Sequence, residues 1–377
     1  MLIAGEASGD LLASELVAAL RELHPDAVFF GAGGSRMSAA GVKQAFDLTQ
    51  HAMVGIPTPG KYFKLRELGG QLLELAIKRQ PDFIIGIDYG GFNLRFGHAV
   101  KEYLRDNPFS TWRPKLVQFV SPQVWASRPG RANLLAADYD LLLSIFPFEK
   151  EWYAQRVPQL RVEFVGHPMI GRYAGAELTS VRRESPAVHD PPQILLLPGS
   201  RKSELHQHLP SMLGAVRLIR EQLPAVKTKM VLPNPLLARQ ARALDATLDI
   251  QIGELPWALA AADVAIASTG TVTMECAYFG VPTVTIYKKP LLGLAFALGI
   301  ITVKSFTMPN LLAADEVYPE FLQRRLNPEN IAGAALELLR NEAHRLQIKI
   351  KLAAIIASLG LPGAPKRAAE AISSLIP

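Results

Sequence analysis

The chain has 377 residues, 49% of them hydrophobic and 20% charged, and this composition excludes an intrinsically disordered protein. At about 100 to 200 residues per domain, the length predicts two domains. The net charge of +6 suits an anionic lipid surface or a phosphorylated substrate and is too small to indicate nucleic-acid binding. Cys276 is the single cysteine, which excludes an internal disulfide, and its apolar flank predicts a buried thiol.

Short apolar runs alternate with amphipathic segments along the chain, a pattern that predicts βαβ units and parallel α/β sheets. We expect strands at residues 2–4, 27–30, 82–87, 116–120 and 141–146, then at 193–197, 230–232, 249–252, 264–267 and 283–287. Helical spacing is clear at residues 10–23, 328–340 and 342–359. The polar, proline-rich residues 184–192 predict a linker between the two halves.

The most informative segment is residues 264–275, with the sequence VAIASTGTVTME. A β-branched strand ends in small and hydroxyl residues, and a helical pattern follows at once. The unpaired N–H groups of a helix start suit a diphosphate, so we expect Ser268, Gly270 and Thr271 to contact one. Glu275, about one turn further on, is placed to accept hydrogen bonds from ribose hydroxyls. The alternative is an ordinary helix with Thr271 as its N-cap.

Two more turns follow predicted strands in the first half. Residues 5–9 (GEASG) predict a tight strand-to-helix turn in which the backbone, with Ser8, approaches a ligand closely. Asp88 follows the buried strand 82–87, and ligands of open parallel sheets bind beyond the carboxyl ends of strands. Asp88 is therefore a candidate catalytic residue; the alternative is a cap for the helix that begins near Leu94.

Arg201 follows the strand 193–197 at a predicted helix start. Its guanidinium can pair with phosphate oxygens as a leaving group gains charge, and the alternative is an exposed arginine without such a role. Two segments have the composition of membrane-surface elements: the basic, apolar-faced residues 61–80 and the apolar residues 290–303, which are shorter than the roughly 20 residues that span a bilayer. The alternatives are a solvated domain helix and a buried segment between domains.

Three motifs resemble cofactor or metal sites without the required context. The GAGG sequence at residues 31–34 lacks the spacing of a dinucleotide fingerprint and is interpreted as a turn. Asp138 and Asp140 precede a strand, whereas a metal-binding D-x-D pair follows one. His206 and His208, two positions apart on a helix, point away from each other. We therefore expect neither a metal nor a cofactor.

Six blocks in series resemble the lipid-A-disaccharide synthase family. They are GEASGD at 5–10, SPQVWA at 121–126, FPFE at 146–149, VGHP at 165–168, LPGSR at 197–201 with Glu204, and MPNLL at 308–312. The blocks keep the order of that family and extend over nearly the whole chain. The resemblance implies a GT-B fold: two Rossmann-like domains facing each other across a cleft, at residues 1–168 and 169–345, with C-terminal helices at 346–377 that cross back to the first.

The resemblance also implies an inverting, metal-independent glycosyltransferase. It would move 2,3-diacylglucosamine from UDP to the 6-hydroxyl of 2,3-diacylglucosamine 1-phosphate, as a peripheral protein on the anionic cytoplasmic face of the inner membrane. Asp88 would be the general base, and Arg201 would stabilise the diphosphate with Gly270 and Thr271. Glu275 would hold the ribose, and Asn310 would contact the donor sugar or phosphate.

The chain departs from the family pattern at three places. Gly90 and Gly91 stand where a second aspartate is common, Ser127 stands where an aromatic residue is common, and Thr269 adds one residue to the usual Ser-Gly-Thr. Two alternatives are weighed against a lipid-A-disaccharide synthase. One is another GT-B enzyme that acts on UDP-GlcNAc, such as an epimerase or a peptidoglycan N-acetylglucosaminyltransferase. The other is a membrane-surface lipid-binding protein without catalysis.

Overall fold

The computed structural model describes residues 1–51, 59–173, 188–288, 303 and 305–376. These residues form two compact α/β units. One contains the described residues up to Gly171 and those from Leu359 onward, and the other contains those from Arg172 to Ser358. Of the predicted apolar segment 290–303, only Val303 is among the described residues, and of the predicted linker 184–192, only residues 188–192 are.

The first unit is built on a seven-stranded parallel sheet with the order β3-β2-β1-β4-β5-β6-β7. Its strands are β1 (Leu2–Ala4), β2 (Phe30–Gly33), β3 (Lys43–Asp47), β4 (Phe83–Ile87), β5 (Lys115–Phe119), β6 (Leu141–Ser144) and β7 (Val162–Phe164). The helices in this half of the chain are α1 (Ala7–Leu23), α2 (Ser35–Ala39), α3 (Pro59–Arg79), α4 (Gly90–Asp106), α5 (Arg131–Asp138), α6 (Pro147–Ala154) and α7 (Pro168–Arg172).

The second unit is built on a six-stranded parallel sheet with the order β10-β9-β8-β11-β12-β13. Its strands are β8 (Gln193–Leu197), β9 (Lys227–Leu232), β10 (Ile250–Ile252), β11 (Val264–Ser268), β12 (Thr283–Tyr287) and β13 (Glu320–Leu322). The helices described after β8 are α8 (Lys202–Gln222), α9 (Pro235–Leu244), α10 (Leu255–Ala261), α11 (Val272–Tyr278), α12 (Met308–Ala313), α13 (Pro328–Arg340), α14 (Glu342–Ser358) and α15 (Ala364–Ser373).

Both sheets have the strand order of a Rossmann-like fold, in which the chain starts in the middle, builds outward on one side and then returns to the other. The reversal lies between β1 and β4 in the first sheet, where Ala4 pairs with Ile87, and between β8 and β11 in the second, where Leu197 pairs with Ala267. The turns that follow each of these strand pairs therefore lie side by side at the carboxyl edge. Open α/β sheets bind their ligands at such reversals.

The C-terminal helices divide between the two units. Helix α14 packs against α11, α12 and α13 in the second unit, whereas α15 packs against α1 in the first, as expected for a helix that crosses back. The domain boundary expected at 345/346 falls inside α14, while the contacts divide at 358/359. The reason is that α14 buries one continuous face, including Ile348, Leu352 and Ile355, in the core of the second unit.

The interpretation of residues 27–34 as a strand followed by a glycine turn is wrong. The strand begins at Phe30 and continues through Gly33. A Cβ on Gly31, whose φ is +153°, would lie 1.8 Å from the carbonyl oxygen of Leu2, so β2 can pair closely with β1 only with glycine there. The Asp10 carboxylate accepts the N–H groups of Gly34 and Met37 at 2.8 and 3.0 Å, which fastens the start of α2 to α1.

The basic helix expected at residues 61–80 is α3, and its apolar face packs into the core of the first unit through Leu65, Leu68 and Leu72. Tyr62 and Phe63, near its start, are 41% and 65% exposed. The helix is therefore a domain helix with two exposed aromatic side chains at one end. Among the described residues, every helix is too short or too polar to span a bilayer.

Candidate active site

Asp88 leaves β4 in a backbone conformation that side chains rarely adopt. Both Asp88 (φ +50°) and Tyr89 (φ +44°) lie in the left-handed region, and such strain is concentrated at functional sites. The Asp88 N–H donates to the carbonyl oxygen of Phe119 at 2.8 Å. Asn93 Nδ2 and Gln118 Nε2 donate to the Asp88 carbonyl oxygen at 2.8 and 2.9 Å. Two buried amide side chains thus fix the strained turn.

The Asp88 carboxylate is half-buried beside the turn that follows β1. Ser8 Oγ donates to its Oδ2 at 3.4 Å, and Gly5 lies against the ring of Tyr89, where a Cβ would approach the ring to 2.1 Å. Burial raises the pKa of Asp88 above its ordinary range, which favours a proton-accepting role. Helix α4 begins at Gly90 with Tyr89 at its N-cap, earlier than the predicted start near Leu94, so Asp88 is not the cap of that helix.

The turn after β11 has an open surface at the carboxyl edge of the second sheet. Ser268 is buried as the last residue of the strand, whereas Gly270 and Thr271 are exposed. Gly270 has φ +140°, and among the described residues no heavy atom lies within 4 Å of the position its Cβ would take. Thr273 Oγ1 donates to the Gly270 carbonyl at 2.7 Å, while the Thr271 side chain makes no capping bond to the described backbone. The side-chain N-cap proposed as the alternative for Thr271 is therefore not formed.

Arg201 lies in the neighbouring turn, at the N-cap of α8, with its side chain 47% exposed. Glu204 organises this turn: its carboxylate accepts Arg201 Nη1 at 2.7 Å and the Ser200 N–H at 2.9 Å. Gly199 has φ +124° and allows the turn to close over Glu204. The guanidinium is thus oriented by a carboxylate beside the reversal point of the sheet.

Glu275 lies one turn inside α11, as expected, and has a partner that the sequence did not reveal. The Tyr173 hydroxyl donates to Glu275 Oε1 at 2.5 Å, and the Tyr173 ring packs on Tyr278 and Phe279 with centroid distances of 5.2 and 5.4 Å. Burial raises the pKa of Glu275, whereas the Tyr173 hydrogen bond and the charge of Arg172 lower it. The carboxylate is therefore held in place from outside its own helix.

His208 is a second residue whose contacts the sequence did not reveal, because its spacing from His206 bears only on metal binding. Its Nδ1 lies 2.8 Å from the Pro198 carbonyl oxygen, and its Nε2 accepts the Lys288 N–H at 3.2 Å. Because Nε2 accepts an N–H and Nδ1 faces a carbonyl oxygen, the proton lies on Nδ1 of a neutral ring, and burial lowers the pKa of His208. The side chain joins the turn after β8 to the end of β12.

Asn310 is buried, and its amide is fully engaged by the loop that leads to β13. Nδ2 donates to the Tyr318 carbonyl and to Glu320 Oε1 at 2.8 and 2.9 Å, and Oδ1 accepts the N–H groups of Val317 and Tyr318. Asn310 therefore organises this loop. A direct contact with a donor sugar would require one of these four bonds to break.

Cys276, Asp138 and Asp140 make contacts that belong to the packing of the fold. Cys276 is fully buried, and burial raises the pKa of its thiol to about 12. Asp138 lies 3.0 Å from His98 Nδ1, and Asp140 accepts the Leu116 N–H at 2.9 Å. Both aspartates precede β6 and so lie at the amino edge of the sheet, away from the Asp88 turn.

Two Rossmann-like sheets, with strained or glycine-containing turns at both reversal points, define a two-unit α/β protein of the GT-B fold. The structure of Staphylococcus aureus MnaA determined with UDP shares this fold, with a TM-score of 0.64, 14% identity, and coverage of 100% of this chain and 96% of that one. The family model for lipid-A-disaccharide synthetase matches residues 1–370.

Full-length relatives agree with the family match. The lipid-A-disaccharide synthases of Solibacter usitatus and Trichlorobacter lovleyi are 35% and 33% identical to the chain, over 100% of its length and 97% of theirs. The chain belongs to the lipid-A-disaccharide synthase family and is a glycosyltransferase. The alternative of an epimerase is supported by a shared fold alone, because the UDP-N-acetylglucosamine 2-epimerase structures from Listeria monocytogenes and Neisseria meningitidis are 18% and 13% identical to this chain.

Proposed function

We propose that the protein transfers 2,3-diacylglucosamine from UDP to the 6-hydroxyl of 2,3-diacylglucosamine 1-phosphate, giving the β-1,6-linked lipid A disaccharide precursor and UDP. The observation that carries the proposal is the match to the family along residues 1–370, which includes the turns at both sheet reversals. The first unit supplies the group that activates the acceptor, and the second supplies the groups that hold the nucleotide.

In this proposal Asp88 is the general base. Its carboxylate takes the proton of the acceptor 6-hydroxyl while that oxygen attacks the anomeric carbon from the face opposite UDP. The bond from the anomeric carbon to the diphosphate oxygen breaks in the same displacement, so the configuration inverts once. Ser8, which donates to Asp88 Oδ2, orients the carboxylate, and the raised pKa of Asp88 strengthens it as a base.

The diphosphate gains negative charge as it leaves, and the turn residues of the second unit stabilise that charge. Arg201 pairs with phosphate oxygens, and Ser268, Gly270 and Thr271 approach the diphosphate through the open turn after β11. Glu275 accepts the ribose hydroxyls. These contacts make the reaction possible without a metal. The structure of Staphylococcus aureus MnaA with UDP supports the nucleotide as a ligand of this fold.

The acylated substrates reside in a membrane, and we propose that the protein works on the anionic inner face of the inner membrane. Tyr62 and Phe63 are exposed at the start of α3, next to Lys64, and aromatic side chains with nearby cations suit a lipid headgroup region. Binding to vesicles that contain anionic lipid, weakened by the double substitution Tyr62→Ser and Phe63→Ser, would support this role; unchanged binding would contradict it.

Turnover with both acylated sugars tests the reaction. Purified protein is incubated with them in detergent and EDTA, and UDP and disaccharide are followed by mass spectrometry. Disaccharide formed in EDTA supports a metal-independent transferase. UDP bound without product would direct attention to another acceptor, and conversion of UDP-GlcNAc into its 2-epimer would favour the epimerase alternative.

Two substitutions separate the roles of the two units. Asp88→Asn should lose turnover with little change in UDP affinity, because the amide cannot accept the proton. Glu275→Ala should weaken UDP binding. Equal UDP affinity in the wild type and Glu275→Ala would refute the ribose assignment, and full turnover in Asp88→Asn would refute the base assignment.

A further inference from the structure

Glu149 is a completely buried carboxyl group in the first turn of α6. Its Oε2 accepts the N–H of Phe146 at 3.3 Å, a local bond at the start of the helix. Its Oε1 accepts the indole N–H of Trp125 at 3.0 Å, which reaches back 24 residues to the segment that follows β5. Burial of a carboxyl group costs free energy unless the group is hydrogen-bonded, and the bond from Trp125 joins α6 to a segment outside its own turn.

Segment 121–126 makes further hydrogen bonds and a ring contact with α6. The Tyr153 hydroxyl lies 3.0 Å from Ser121 Oγ and donates to the Pro122 carbonyl at 3.4 Å. The Trp125 ring meets the Phe148 ring edge to face, with centroids 4.9 Å apart. The segment is thus held by three side chains of α6: Phe148, Glu149 and Tyr153.

The same segment supports the Asp88 turn. Pro122 packs directly on Gly90, where an added Cβ would lie 2.7 Å from the Pro122 Cβ. Gln118 Nε2 donates both to the Asp88 carbonyl at 2.9 Å and to the Val120 carbonyl at 3.2 Å. Val120 has φ +67°, a rare conformation for a β-branched residue. The strained exits of β4 and β5 are therefore fixed to each other and, through segment 121–126, to α6.

We propose that Glu149 is a positioning residue for Asp88: by holding Trp125 and segment 121–126, it fixes the turn that carries the Asp88 carboxylate. The role rests on the proposed function of Asp88 as the base. Loss of this support moves the carboxylate relative to the acceptor and leaves the nucleotide contacts of the second unit unchanged. The expected signature is a lower kcat with unchanged UDP affinity, because displacement of a catalytic group by about 1 Å slows the reaction strongly.

The chain offers a matched pair of variants. Trp125→Phe keeps a buried aromatic ring and removes the indole N–H from Glu149. Trp112→Phe makes the same change in the same unit, where a buried indole N–H donates to the Pro81 carbonyl at 2.9 Å, at the amino end of β4. Both variants lose one buried indole hydrogen bond, to a carboxyl group in the first and to a backbone carbonyl in the second, and only the first one touches the support of Asp88.

Two measurements decide the proposal. Trp125→Phe should lower kcat about tenfold with unchanged affinity for UDP, and it should speed amide hydrogen exchange in the peptide that covers residues 86–93. Trp112→Phe should leave both quantities as in the wild type. If Trp125→Phe fails to fold, Tyr153→Phe, which removes the hydroxyl bonded to segment 121–126, should give the same two changes.

Equal kcat and equal exchange of residues 86–93 in Trp125→Phe and Trp112→Phe would overturn the proposal. If the wild-type protein forms no disaccharide, the proposed function is refuted instead. Hydrogen exchange of residues 86–93 would still decide whether Glu149 and segment 121–126 hold the Asp88 turn. Faster exchange with unchanged kcat in Trp125→Phe would refute the role of that support in catalysis.

Discussion

The Tyr173 hydroxyl donates a 2.5 Å hydrogen bond to Oε1 of Glu275, the carboxylate that we assign to the ribose. The two residues are 102 positions apart, and Tyr173 belongs to the short stretch that enters the second unit after α7. An ionised carboxylate has two acceptor oxygens, so it can receive a phenol and ribose hydroxyls together. Tyr173 therefore favours the ionised form of Glu275 and restricts its orientation.

Substitution of Tyr173 tests this relationship. Tyr173→Phe should weaken UDP binding by about tenfold or more, because a hydrogen bond to a charged group is worth about 1.5 to 3 kcal/mol. It should also narrow the difference in affinity between UDP and 2′-deoxy-UDP, because the ribose contact is the one disturbed. Isothermal titration calorimetry measures both. Tyr318→Phe is the control, since it removes a buried hydroxyl that donates to Val281 in the same unit. A loss in Tyr173→Phe no larger than in the control would contradict the assignment.

The sequence predicted those parts of the site that follow directly from strand ends. Asp88, the turn 5–9 and the turn around Gly270 each come after a run of buried apolar residues, and parallel strands place their carboxyl ends at one edge. Alternation of apolar and amphipathic segments also predicted both parallel sheets. Local pattern was sufficient for these features, because each one depends on residues that are neighbours in the chain.

Side-chain partners that are distant in the chain could not be predicted in this way. The bond from Tyr173 to Glu275 and the two bonds of His208 arise from tertiary packing and leave no periodic signal. Asn310 stays a prediction: the family resemblance implies a contact with the donor sugar or phosphate, and the structure adds the bonds of its amide within its own loop. Gly31 shows that a glycine can mark close strand pairing as well as a turn.

Two adjacent glycines at the start of α4 give a contrast within one turn. A Cβ on Gly90 would lie 2.7 Å from Pro122, whereas no described heavy atom lies within 4 Å of one on Gly91. Gly90→Ala should therefore destabilise the protein by about 1 to 3 kcal/mol and lower turnover. Gly91→Ala should be neutral or stabilising by up to about 1 kcal/mol, since alanine favours a helix. Urea denaturation and turnover of both variants check this, and equal stability of the two would be inconsistent with the packing of Pro122.

The pH dependence of turnover tests whether the Ser8 hydroxyl lowers the pKa of Asp88. Its hydroxyl bond to Asp88 Oδ2 favours the carboxylate and lowers the Asp88 pKa, in opposition to burial, which raises it. Ser8→Ala removes that bond, so the Asp88 pKa should rise and the acid limb of kcat/KM should move to higher pH. Ser14→Ala is the control on the same helix, since the Ser14 hydroxyl donates to Leu11. The same acid limb in Ser8→Ala and Ser14→Ala would show that Ser8 does not act on the base.

The buried Glu149 carboxyl group should make the stability of the first unit depend on pH. Burial raises its pKa from the ordinary 4.5 to about 7, so between these values the folded chain holds a proton that the unfolded chain has released. The contribution of Glu149 to the free energy of unfolding is fully present below pH 4.5 and is lost as the pH rises to about 7. Glu149→Gln removes this pH dependence. The free energy of unfolding of the variant, relative to that of the wild type, should therefore rise by about 2 kcal/mol between pH 5 and pH 8.

Urea denaturation of both proteins at the two pH values measures this gain, because contributions from all other groups cancel in the comparison. Glu163→Gln is a control of opposite sign: Lys150 and Arg161 lower the Glu163 pKa, so its stabilising contribution is lost as the pH falls. Relative to the wild type, Glu163→Gln should therefore become less stable, or stay unchanged, as the pH rises through the acidic range. A constant difference between Glu149→Gln and the wild type from pH 5 to pH 8 would mean that Glu149 titrates as an ordinary exposed carboxyl group, in conflict with its burial beneath Trp125.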